Sequence, residues 1–553
     1  MSGATSNPAA TDAERVSSNS GIEGFQGLLM AFMMALIFRG FIVEGFHIPT
    51  GSMAPTLMGQ HTLLHGDTSG LTWPVGPVTM QGRTGVPAPK QSFVTSDPVT
   101  QAEMRVSNEP LRSGDRVFIL KYLFPVFEPA RYDVVVFKNP RDPTATYIKR
   151  LVGLGPEEVA LVDGDVFSRP LPANATAEAT TTNTWELPGW TVARKPDDSQ
   201  AAMWQLVFDT AFAPLDASRD GRTWFRSPWL PSEADAPAWT IDAQRQYRYA
   251  GQGATQLSWD SKRRIADAYP YNQLGGGQFP NGHFPVSDMR VSLHLEPSSV
   301  DATAAMTLAT RRHVFRAAIE SAGRVTLAMR REDESAWRTL GEGTLDVPLQ
   351  PGAVRSVEFW HVDQTLRVVV DGRTVAKGEY DWSPTQRLEA AMGLSAKEIF
   401  ETRDRNLLTD AARIATPRLS LEFGGGPLTL HRVRVDRDIH YQPGDYHPVN
   451  DATTFAKSGP HLRGRQPAAA THPRQPMFLS QDEYFMCGDN SPASLDSRLW
   501  DRPSPWVASM DPKTGVVHRD AMVGKAFVVY FPGLQWKWGL VPVPDFGRIR
   551  QIK

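Results

Sequence analysis

One long apolar run lies near the start of this 553-residue chain, and it decides what can precede the folded region. The run extends from Gly24 to Phe46, and its unbroken apolar part, Gly27–Phe38, is 12 residues long. A membrane-spanning helix needs roughly 20 residues, but Arg39 could snorkel to the interface and let residues 40–43 complete the span. We therefore predict a transmembrane anchor over residues 21–46.

A buried core helix and a cleavable signal peptide are the two alternatives for this apolar run. A signal peptide normally begins with a basic segment, whereas Arg15 stands beside Asp12 and Glu14, and no Ala-X-Ala cleavage site follows the run. Residues 1–20 are small and polar with no apolar period, and we expect a disordered tail there. Because that tail carries one basic residue, the positive-inside rule gives almost no orientation.

Composition limits the class of protein further. Hydrophobic residues make up 41% of the chain and charged residues 21%, which is typical of a globular protein and excludes a wholly disordered one. The 58 basic and 60 acidic residues leave a net charge of −2, so nothing indicates a nucleic-acid partner. A single cysteine, Cys487, excludes an internal disulfide framework and a multi-cysteine zinc site. The 44 glycines and 44 prolines favour many turns between short strands, hence a mainly β protein.

The strand pattern divides the rest of the chain into three parts, residues 47–165, 166–475 and 476–553. Within the first part, residues 67–110 are rich in Gly, Pro, Ser and Thr, and we interpret them as a surface insertion. Short apolar runs typical of strands occupy Gly114–Leu120, Arg131–Lys138, Thr146–Leu154 and, in the third part, Val523–Pro532.

The middle part has a different pattern. Apolar and polar residues alternate along runs separated by turns such as Asp371–Gly372, which favours antiparallel sheets. The region from about 204 to 441 resembles a laminin-G/concanavalin-like jelly roll, and we expect a separately folding β-sandwich whose removal leaves the rest of the protein working. Such a domain could recognise carbohydrate or a cell-envelope partner, although no cluster of Asp, Asn and aromatic residues specifies a sugar or Ca²⁺ site. A structural insertion is the alternative.

Three short sequence blocks stand out in the first and last parts. Phe46–Leu57 (FHIPTGSMAPTL) presents one serine, Ser52, in a proline-bounded turn that can hold its hydroxyl exposed. Tyr147–Leu154 (YIKRLVGL) and Cys487–Arg498 (CGDNSPASLDSR) follow later. In this order, after an N-terminal apolar segment, the blocks resemble type I signal peptidase. The resemblance covers the anchor and about residues 40–66, 111–165 and 478–532, and it does not account for residues 165–475.

The resemblance implies a fold and a catalytic pair. The fold is mainly β, with one N-terminal transmembrane helix and a signal-peptidase-type β catalytic domain formed by residues 47–165 and 476–553, interrupted by the inserted sandwich. The family uses a serine nucleophile with a lysine general base, which assigns these roles to Ser52 and Lys149. A solvated lysine is protonated at neutral pH, so Lys149 must be buried among apolar neighbours that lower its pKa. Alternation along the strand sends Arg150 to the opposite face.

The resemblance also implies residues that support this pair. Ser494 matches the serine that hydrogen-bonds and orients the lysine amine, although Ser491 and Ser497 are nearby competitors for that position. With Ser494 in this role, we expect the Ser491→Ala variant to be close to neutral. Two further pairs have structural roles in the family pattern: an ion pair between Asp496 and Arg498, and a turn built by Asp489 and Asn490.

The remaining implied residues lie in the block around the serine. The backbone N–H of Ser52 and the hydroxyl of Thr50 would stabilise the oxyanion of the tetrahedral intermediate. Ile48 and Met53 would form apolar walls around small substrate side chains. Such a site needs no metal and no cofactor.

The chain departs from the family pattern in two ways. Residues 155–157 read Gly-Pro-Glu where the family usually reads Pro-Gly-Asp, which is a local change in a turn. The separations are also long, with 97 residues from Ser52 to Lys149 (149 − 52) and 345 from Lys149 to Ser494 (494 − 149). Because the entropy of loop closure grows slowly with loop length, a large domain inserted at a loop is tolerable.

The implied function is that of a membrane-anchored serine endopeptidase of the cell (inner) membrane that removes signal peptides from exported preproteins, with its catalytic domain on the extracytoplasmic side. Its partners would be preproteins and the lipid bilayer. A carbohydrate- or envelope-binding membrane protein built on a peptidase-like platform is the alternative. Trp536 and Trp538 could rest at a membrane interface or pack in the core, and the sequence leaves both options open.

Overall fold

The computed structural model describes residues 10–77, 90–121, 128–171, 182–213, 227–242, 244–273, 283–402, 404, 407–443, 467–500, 503–537 and 541–553. Within these residues the α-helices are α1 (Ala10–Phe41), α2 (Asp197–Met203), α3 (Pro384–Met392), α4 (Ala396–Glu401) and α5 (Pro505–Met510). The fold class predicted from the sequence, mainly β with one N-terminal apolar helix and an inserted β domain, is confirmed.

The strands of the first part are β1 (Val43–His47), β2 (Thr62–His65), β3 (Thr72–Val75), β4 (Lys90–Ser96), β5 (Glu103–Pro110), β6 (Arg116–Lys121), β7 (Val134–Lys138), β8 (Thr146–Leu154), β9 (Glu157–Val162) and β10 (Asp165–Pro170). Those of the middle part are β11 (Thr191–Val192), β12 (Gln205–Asp209), β13 (Trp229–Pro231), β14 (Trp239–Ile241), β15 (Tyr247–Tyr249), β16 (Thr255–Trp259), β17 (Met289–Pro297), β18 (Thr303–Thr310), β19 (His313–Ile319), β20 (Arg324–Arg331), β21 (Arg338–Thr344), β22 (Arg355–Val362), β23 (Thr365–Val370), β24 (Arg373–Glu379), β25 (Arg418–Gly424) and β26 (Leu428–Arg437). The last part holds β27 (Met477–Leu479), β28 (Glu483–Cys487), β29 (Val517–His518), β30 (Met522–Phe531), β31 (Gln535–Lys537), β32 (Val541–Val543) and β33 (Arg550–Gln551).

Helix α1 covers most of the predicted anchor, residues 21–46, but begins before it and ends before residue 46. Its stretch Glu23–Phe41 is long and apolar enough to cross a membrane, and none of it is buried inside the protein. The helix begins at Ala10, so residues 10–20 are helical in place of the predicted disordered tail, because extending an existing helix costs far less than starting one. Residues 1–9 lie outside the described residues.

The anchor ends earlier than predicted, because residues 43–46 belong to strand β1. Strand β1 pairs with β6 in an antiparallel register that sets Phe46 opposite Val117. Lys121, at the end of β6, donates to the carbonyl oxygen of Gly40 (2.7 Å) and forms an ion pair with Glu44 (3.0 Å). The end of helix α1 is thereby joined to the sheet that leads into the block containing Ser52.

The first and last parts of the chain together form one antiparallel sheet, which we call the catalytic sheet. Its strand order is β1-β6-β30-β7-β8-β28-β29, with β33 added to β30. Strand β7 (VVVFK) is buried on both faces: Val134 and Val136 join one hydrophobic cluster, and Val135 and Phe137 join another. A short continuous apolar run is what a central strand covered on both sides requires.

The middle part forms a β-sandwich of two antiparallel sheets. One has the order β14-β15-β26-β17-β22-β23-β24, with β12 on β26, and the other has the order β13-β16-β25-β18-β19-β20-β21. Alternate residues of β17, such as Met289, Val291 and Leu293, are buried in the core between the sheets. Asp371 and Gly372 both have positive φ, which is the hairpin turn that their sequence predicts. A smaller sheet, β11-β10-β9-β27, lies beside the catalytic sheet.

The segment 67–110 is not the surface insertion that its composition suggested. Leu71, Trp73 and Val75 from its first half, and Val99 and Val106 from its second, are buried in the same hydrophobic cluster as the sandwich core. Residues 78–89 lie outside the described residues. Small and polar residues dominate this segment, and the alternation of Leu71, Trp73 and Val75 is too short to stand out from them.

Candidate active site

Ser52 lies in a compact turn that directly follows β1, which we call the nucleophile turn (residues 50–60). The turn is closed by backbone hydrogen bonds from Ala54 to Gly51 (2.9 Å) and from Leu57 to Met53 (2.8 Å). Ser52 itself is half-buried. Because Met53, Ala54 and Leu57 are buried beneath it, the turn is held against the core while its outer edge faces solvent.

Lys149 lies on β8, and its amine points at the serine. The distance between Lys149 Nζ and Ser52 Oγ is 2.6 Å, and Nζ also donates to the carbonyl oxygen of Ile148 (3.1 Å). The side chain is 4% exposed. Burial lowers the pKa of Lys149 to about 8, although the carboxylates of Asp496 and Asp489 oppose that shift. A substantial fraction of the amine is therefore neutral near pH 8, as a general base requires.

Arg150, the next residue of β8, faces the other way and forms a buried ion pair that sequence reasoning missed. Its guanidinium makes two parallel hydrogen bonds to the Asp489 carboxylate, at 2.7 and 2.6 Å, and donates to the carbonyl oxygen of Tyr132 at 2.6 Å. Thr56 Oγ1, from the nucleophile turn, donates to the same carboxylate (2.5 Å). The signal was a buried arginine in an apolar strand, which needs a carboxylate partner.

Asp489 and Asn490 therefore do more than build a turn. The backbone N–H of Asn490 donates to the carbonyl oxygen of Ser52 (3.1 Å), and its side-chain amide donates to that of Gly51 (2.9 Å). Together with the contact between Asp489 and Thr56, these bonds fasten the nucleophile turn to the block that follows β28.

The structure places Asp496 and Arg498 in a buried ion pair. The guanidinium contacts the carboxylate at 2.9 and 2.8 Å, and the backbone N–H of Gly488 donates to Asp496 (2.9 Å). Arg498 also donates to the hydroxyl of Ser491 (2.8 Å), which accepts a further hydrogen bond from the backbone of Gln442. Ser491 is thus a structural link, and the expectation that its replacement by alanine is close to neutral for turnover stays a prediction.

Ser494 does not make the predicted hydrogen bond to the lysine amine. Its side chain is fully buried, and its Oγ has no partner among the described residues. It nevertheless lies beside the site, since an ideal Cβ on Gly488 would stand 2.1 Å from Ser494 Oγ and 2.5 Å from the carbonyl oxygen of Ser52. Orientation of the amine by Ser494 therefore stays a prediction.

The other predicted residues lie around the turn. Thr50 is exposed at its outer edge, and the backbone N–H of Ser52 has no hydrogen-bond partner among the residues that the structure describes. Both predicted oxyanion donors are thus available to a substrate. Ile48 and Met53 are packed in the core beneath the turn, so their contact with substrate stays a prediction. Cys487 is free and buried.

The inserted domain reaches this site, which the sequence did not reveal. Residues 269–273, between β16 and β17, contact both the nucleophile turn and the block around Asn490. These contacts argue against the expectation that the sandwich is independent of the site. Trp538 lies outside the described residues, and Trp536 lies on β31, which pairs with β32.

One group of carboxylates, Asp165, Asp288 and Asp363, is close enough in space to hold a cation. The guanidinium of Arg387 lies 3.6 Å from Asp165 and 3.8 Å from Asp288, and Lys195 forms an ion pair with Asp363. The group is buried where the turn between β9 and β10 meets the sandwich, and Arg387 and Lys195 lie against it as counter-charges.

Comparisons with known proteins bear on the first and last parts of the chain. The sequence model of the family described as "Signal peptidase, peptidase S26" matches residues 92–224 and 431–531, which include Lys149 and the block 487–498 but not Ser52. Signal peptidase I of Rickettsia prowazekii (strain Madrid E) is 26% identical over 155 residues, covering 28% of this chain and 46% of that protein. Signal peptidase I of Pseudomonas fluorescens is 29% identical over 134 residues, covering 24% of this chain and 32% of that protein. The chain thus spans less than half the length of these curated relatives.

The comparison with solved structures finds proteins of low similarity. The carbohydrate-binding module CBM66 from Bacillus subtilis has a TM-score of 0.22 and 8% identity, covering 38% of this chain and 96% of that one. The laminarinase from Rhodothermus marinus has a TM-score of 0.25 and 11% identity, covering 43% of this chain and 98% of that one. The family comparison confirms the resemblance found in the sequence: over residues 92–224 and 431–531 the chain is similar to the signal peptidases of family S26, and it carries an additional β domain.

Proposed function

We propose that this protein is a membrane-anchored serine endopeptidase that cleaves signal peptides from exported preproteins, with Ser52 as nucleophile and Lys149 as general base. The observation that carries the proposal is the 2.6 Å contact between the Ser52 hydroxyl and a buried amine whose pKa is lowered to about 8. A serine hydroxyl becomes a useful nucleophile only when a neighbouring base takes its proton.

The chemistry then follows from these groups. The neutral Lys149 amine accepts the proton of Ser52 as Oγ attacks the carbonyl carbon of the scissile peptide bond. The negative charge that develops on the carbonyl oxygen is stabilised by the backbone N–H of Ser52 and the hydroxyl of Thr50. The Lys149 ammonium next gives its proton to the leaving amine. A water molecule, activated by the same lysine, hydrolyses the acyl-enzyme ester and frees Ser52.

The site's position along the chain fits a substrate that emerges from a membrane. Ser52 lies only 11 positions (52 − 41) after the end of helix α1 at Phe41, and the five residues of β1 occupy half of the interval between them. With α1 in the bilayer of the cell (inner) membrane, the catalytic sheet begins at the membrane surface, on the extracytoplasmic side. Substrates with small residues before the scissile bond, in an Ala-X-Ala context, are those that the resemblance implies.

The test uses the full chain reconstituted in lipid vesicles with a labelled preprotein. The Ser52→Ala variant is expected to lose cleavage, whereas Ser335→Ala, an exposed serine of the sandwich, keeps it. Equal cleavage by Ser52→Ala and the unaltered protein would exclude Ser52 as the nucleophile and contradict the proposal, whereas no cleavage by either protein would favour the binding-protein alternative.

A further inference from the structure

The segment of residues 269–273 leaves the sandwich and crosses to the catalytic sheet. It lies between β16 and β17, and residues Pro270–Asn272 form one 3₁₀ turn. At its start, the Tyr269 ring packs under the guanidinium of Arg437, at the end of β26, at 4.5 Å. The segment is thus anchored to the inserted domain on one side.

Tyr271 packs directly on the nucleophile turn. An ideal Cβ at Gly51 would lie 1.9 Å from Cε1 of Tyr271, so the ring occupies the space that a side chain at the residue before Ser52 would need. The ring is buried with Ala54 and Met58, and its hydroxyl donates to the carbonyl oxygen of Gln60 (2.6 Å). One aromatic side chain therefore contacts the beginning, middle and end of the turn.

Asn272 is hydrogen-bonded to Asn490, which itself donates a hydrogen bond to the backbone of Ser52. The side-chain amides of Asn272 and Asn490 exchange two hydrogen bonds, at 2.8 and 2.9 Å. Asn490 in turn donates to the carbonyl oxygens of Gly51 and Ser52. The hydroxyl of Tyr269 adds a bond to the carbonyl oxygen of Asp489 (2.9 Å). Asp489 and Asn490, which follow β28, are thus both hydrogen-bonded to the inserted domain.

The other side of the segment is fixed as well. The backbone N–H of Gly76, just after β3, donates to the carbonyl oxygen of Tyr271 (2.8 Å). Gln273 donates to the carbonyl oxygen of Ser96 (2.9 Å) and accepts a hydrogen bond from Thr95. Because residues of β3 and β4 are packed with the sandwich, the segment is clamped between two ordered bodies and cannot shift without breaking several bonds.

We propose that Tyr271 and Asn272 are positioning residues for the Ser52 nucleophile, so that the inserted domain completes the peptidase site and is not a separable appendage. The inference rests on the proposed function. Its physical basis is the steep dependence of attack on geometry, since a displacement of about 1 Å at the reacting groups can cost roughly 100-fold in rate. Neither side chain takes part in a chemical step; each fixes the turn that presents Oγ to the amine.

The test measures kcat and KM of the full-length variants Tyr271→Ala, Tyr271→Phe and Asn272→Ala on one labelled preprotein. Hydrogen–deuterium exchange is followed by mass spectrometry in the nucleophile turn and in strands β18–β20. Tyr271→Ala is expected to lower kcat roughly 10- to 100-fold with little change in KM, and Asn272→Ala roughly 10-fold. Tyr271→Phe, which keeps the ring against Gly51, restores most of kcat. Exchange should rise in the turn and stay unchanged in the sandwich strands.

Ser52→Ala and Trp337→Ala, an exposed sandwich residue, are measured in parallel. If Ser52→Ala retains cleavage, the proposed function fails, whereas increased exchange in the turn of the Tyr271 and Asn272 variants still supports positioning. If Ser52→Ala is inactive while Tyr271→Ala and Asn272→Ala keep kcat and the exchange of the turn at the level of Trp337→Ala, the inference is overturned. It is equally overturned if exchange rises throughout the sandwich and Tyr271→Phe does not rescue kcat, because the residues then serve only the fold of the inserted domain.

Discussion

The catalytic sheet and the inserted sandwich are both antiparallel, but the chain builds them in opposite ways. The sandwich uses one continuous region, and within it β18-β19-β20-β21 and β22-β23-β24 follow one another in sequence order. In the catalytic sheet, β30 from the end of the chain lies between β6 and β7. The sandwich can therefore be recognised from local alternation, whereas the catalytic sheet depends on contacts across several hundred residues.

This difference has a consequence for function. Every residue proposed to carry chemistry lies in the non-local region, where the two parts of the chain meet around the contact between Ser52 and Lys149. The local region supplies Tyr271 and Asn272 from a loop outside its own strands. Substituting matched residues in the two regions should therefore distinguish effects on catalysis from effects on the stability of the fold.

The largest contrast is expected for a lysine replaced by arginine in each region. Lys149→Arg keeps the charge but replaces the base by a guanidinium that stays protonated at any working pH, so cleavage should fall by roughly 100- to 10,000-fold. Lys377→Arg, at an exposed position of β24, should be indistinguishable from the unaltered protein. The measurement is kcat on a labelled preprotein, and substantial activity in Lys149→Arg would exclude Lys149 as the base.

Two buried aspartates provide the next contrast. Asp489 pairs with Arg150 beneath the site, and Asp163 pairs with Arg311 (2.7 Å) and Arg387 (2.9 Å) where the β9–β10 turn meets the sandwich. Asp489→Asn removes the counter-charge of the buried Arg150, and Asp163→Asn removes that of the buried Arg311. Each variant should therefore lower the free energy of unfolding by about 3–5 kcal/mol.

Only Asp489→Asn should also reduce turnover, since Asp489 holds Thr56 of the nucleophile turn. Urea unfolding and kcat per folded molecule give the two quantities. Equal losses of turnover in Asp163→Asn and Asp489→Asn would show that the ion pair under the site has no special part in the geometry of Ser52.

Two glycine-to-alanine variants, one beside the site and one in the inserted domain, compare the two regions through the addition of a single methyl group. A Cβ at Gly488 would collide with the Ser494 hydroxyl and with the carbonyl oxygen of Ser52, whereas a Cβ at Gly253 in the inserted domain meets no atom within 4 Å. Gly488→Ala should displace the nucleophile turn and lower kcat roughly 10- to 100-fold, and Gly253→Ala should leave it unchanged. Unaltered turnover in Gly488→Ala would mean that the turn tolerates displacement.

The smallest effects concern the two serines of one loop. Ser491→Ala removes hydrogen bonds to Arg498 and Gln442 and should cost about 1–2 kcal/mol of unfolding free energy with turnover kept. Ser494→Ala removes a buried hydroxyl without a partner among the described residues, so stability should hold while turnover falls. Thermal or urea unfolding measures the change in stability, and kcat measures the change in turnover. The reverse assignment, with Ser491→Ala slow and Ser494→Ala unaffected, would show that the alignment of this block is shifted.

The sequence predicted what depends on local pattern and on short motifs. The sandwich strands follow from alternation, whereas the proposed nucleophile and base rest on the resemblance of three short blocks to type I signal peptidase. The contact between Arg150 and Asp489 joins residues 339 positions apart, and neither position shows a pattern that names its partner. The same holds for Tyr271 and Asn272, because a short loop within a Pro- and Trp-rich region gives no sign of where it packs.

The most direct test of the account is the pH dependence of kcat/KM for the full-length protein on one labelled preprotein between pH 6 and 10. The base is active only as the neutral amine, and burial lowers the pKa of Lys149 to about 8. The ammonium form dominates below that value, so kcat/KM should rise about tenfold per pH unit and level off above about pH 8. A rate that is independent of pH over this range, or one that levels off near pH 6.5, where histidine titrates, would contradict a buried lysine base.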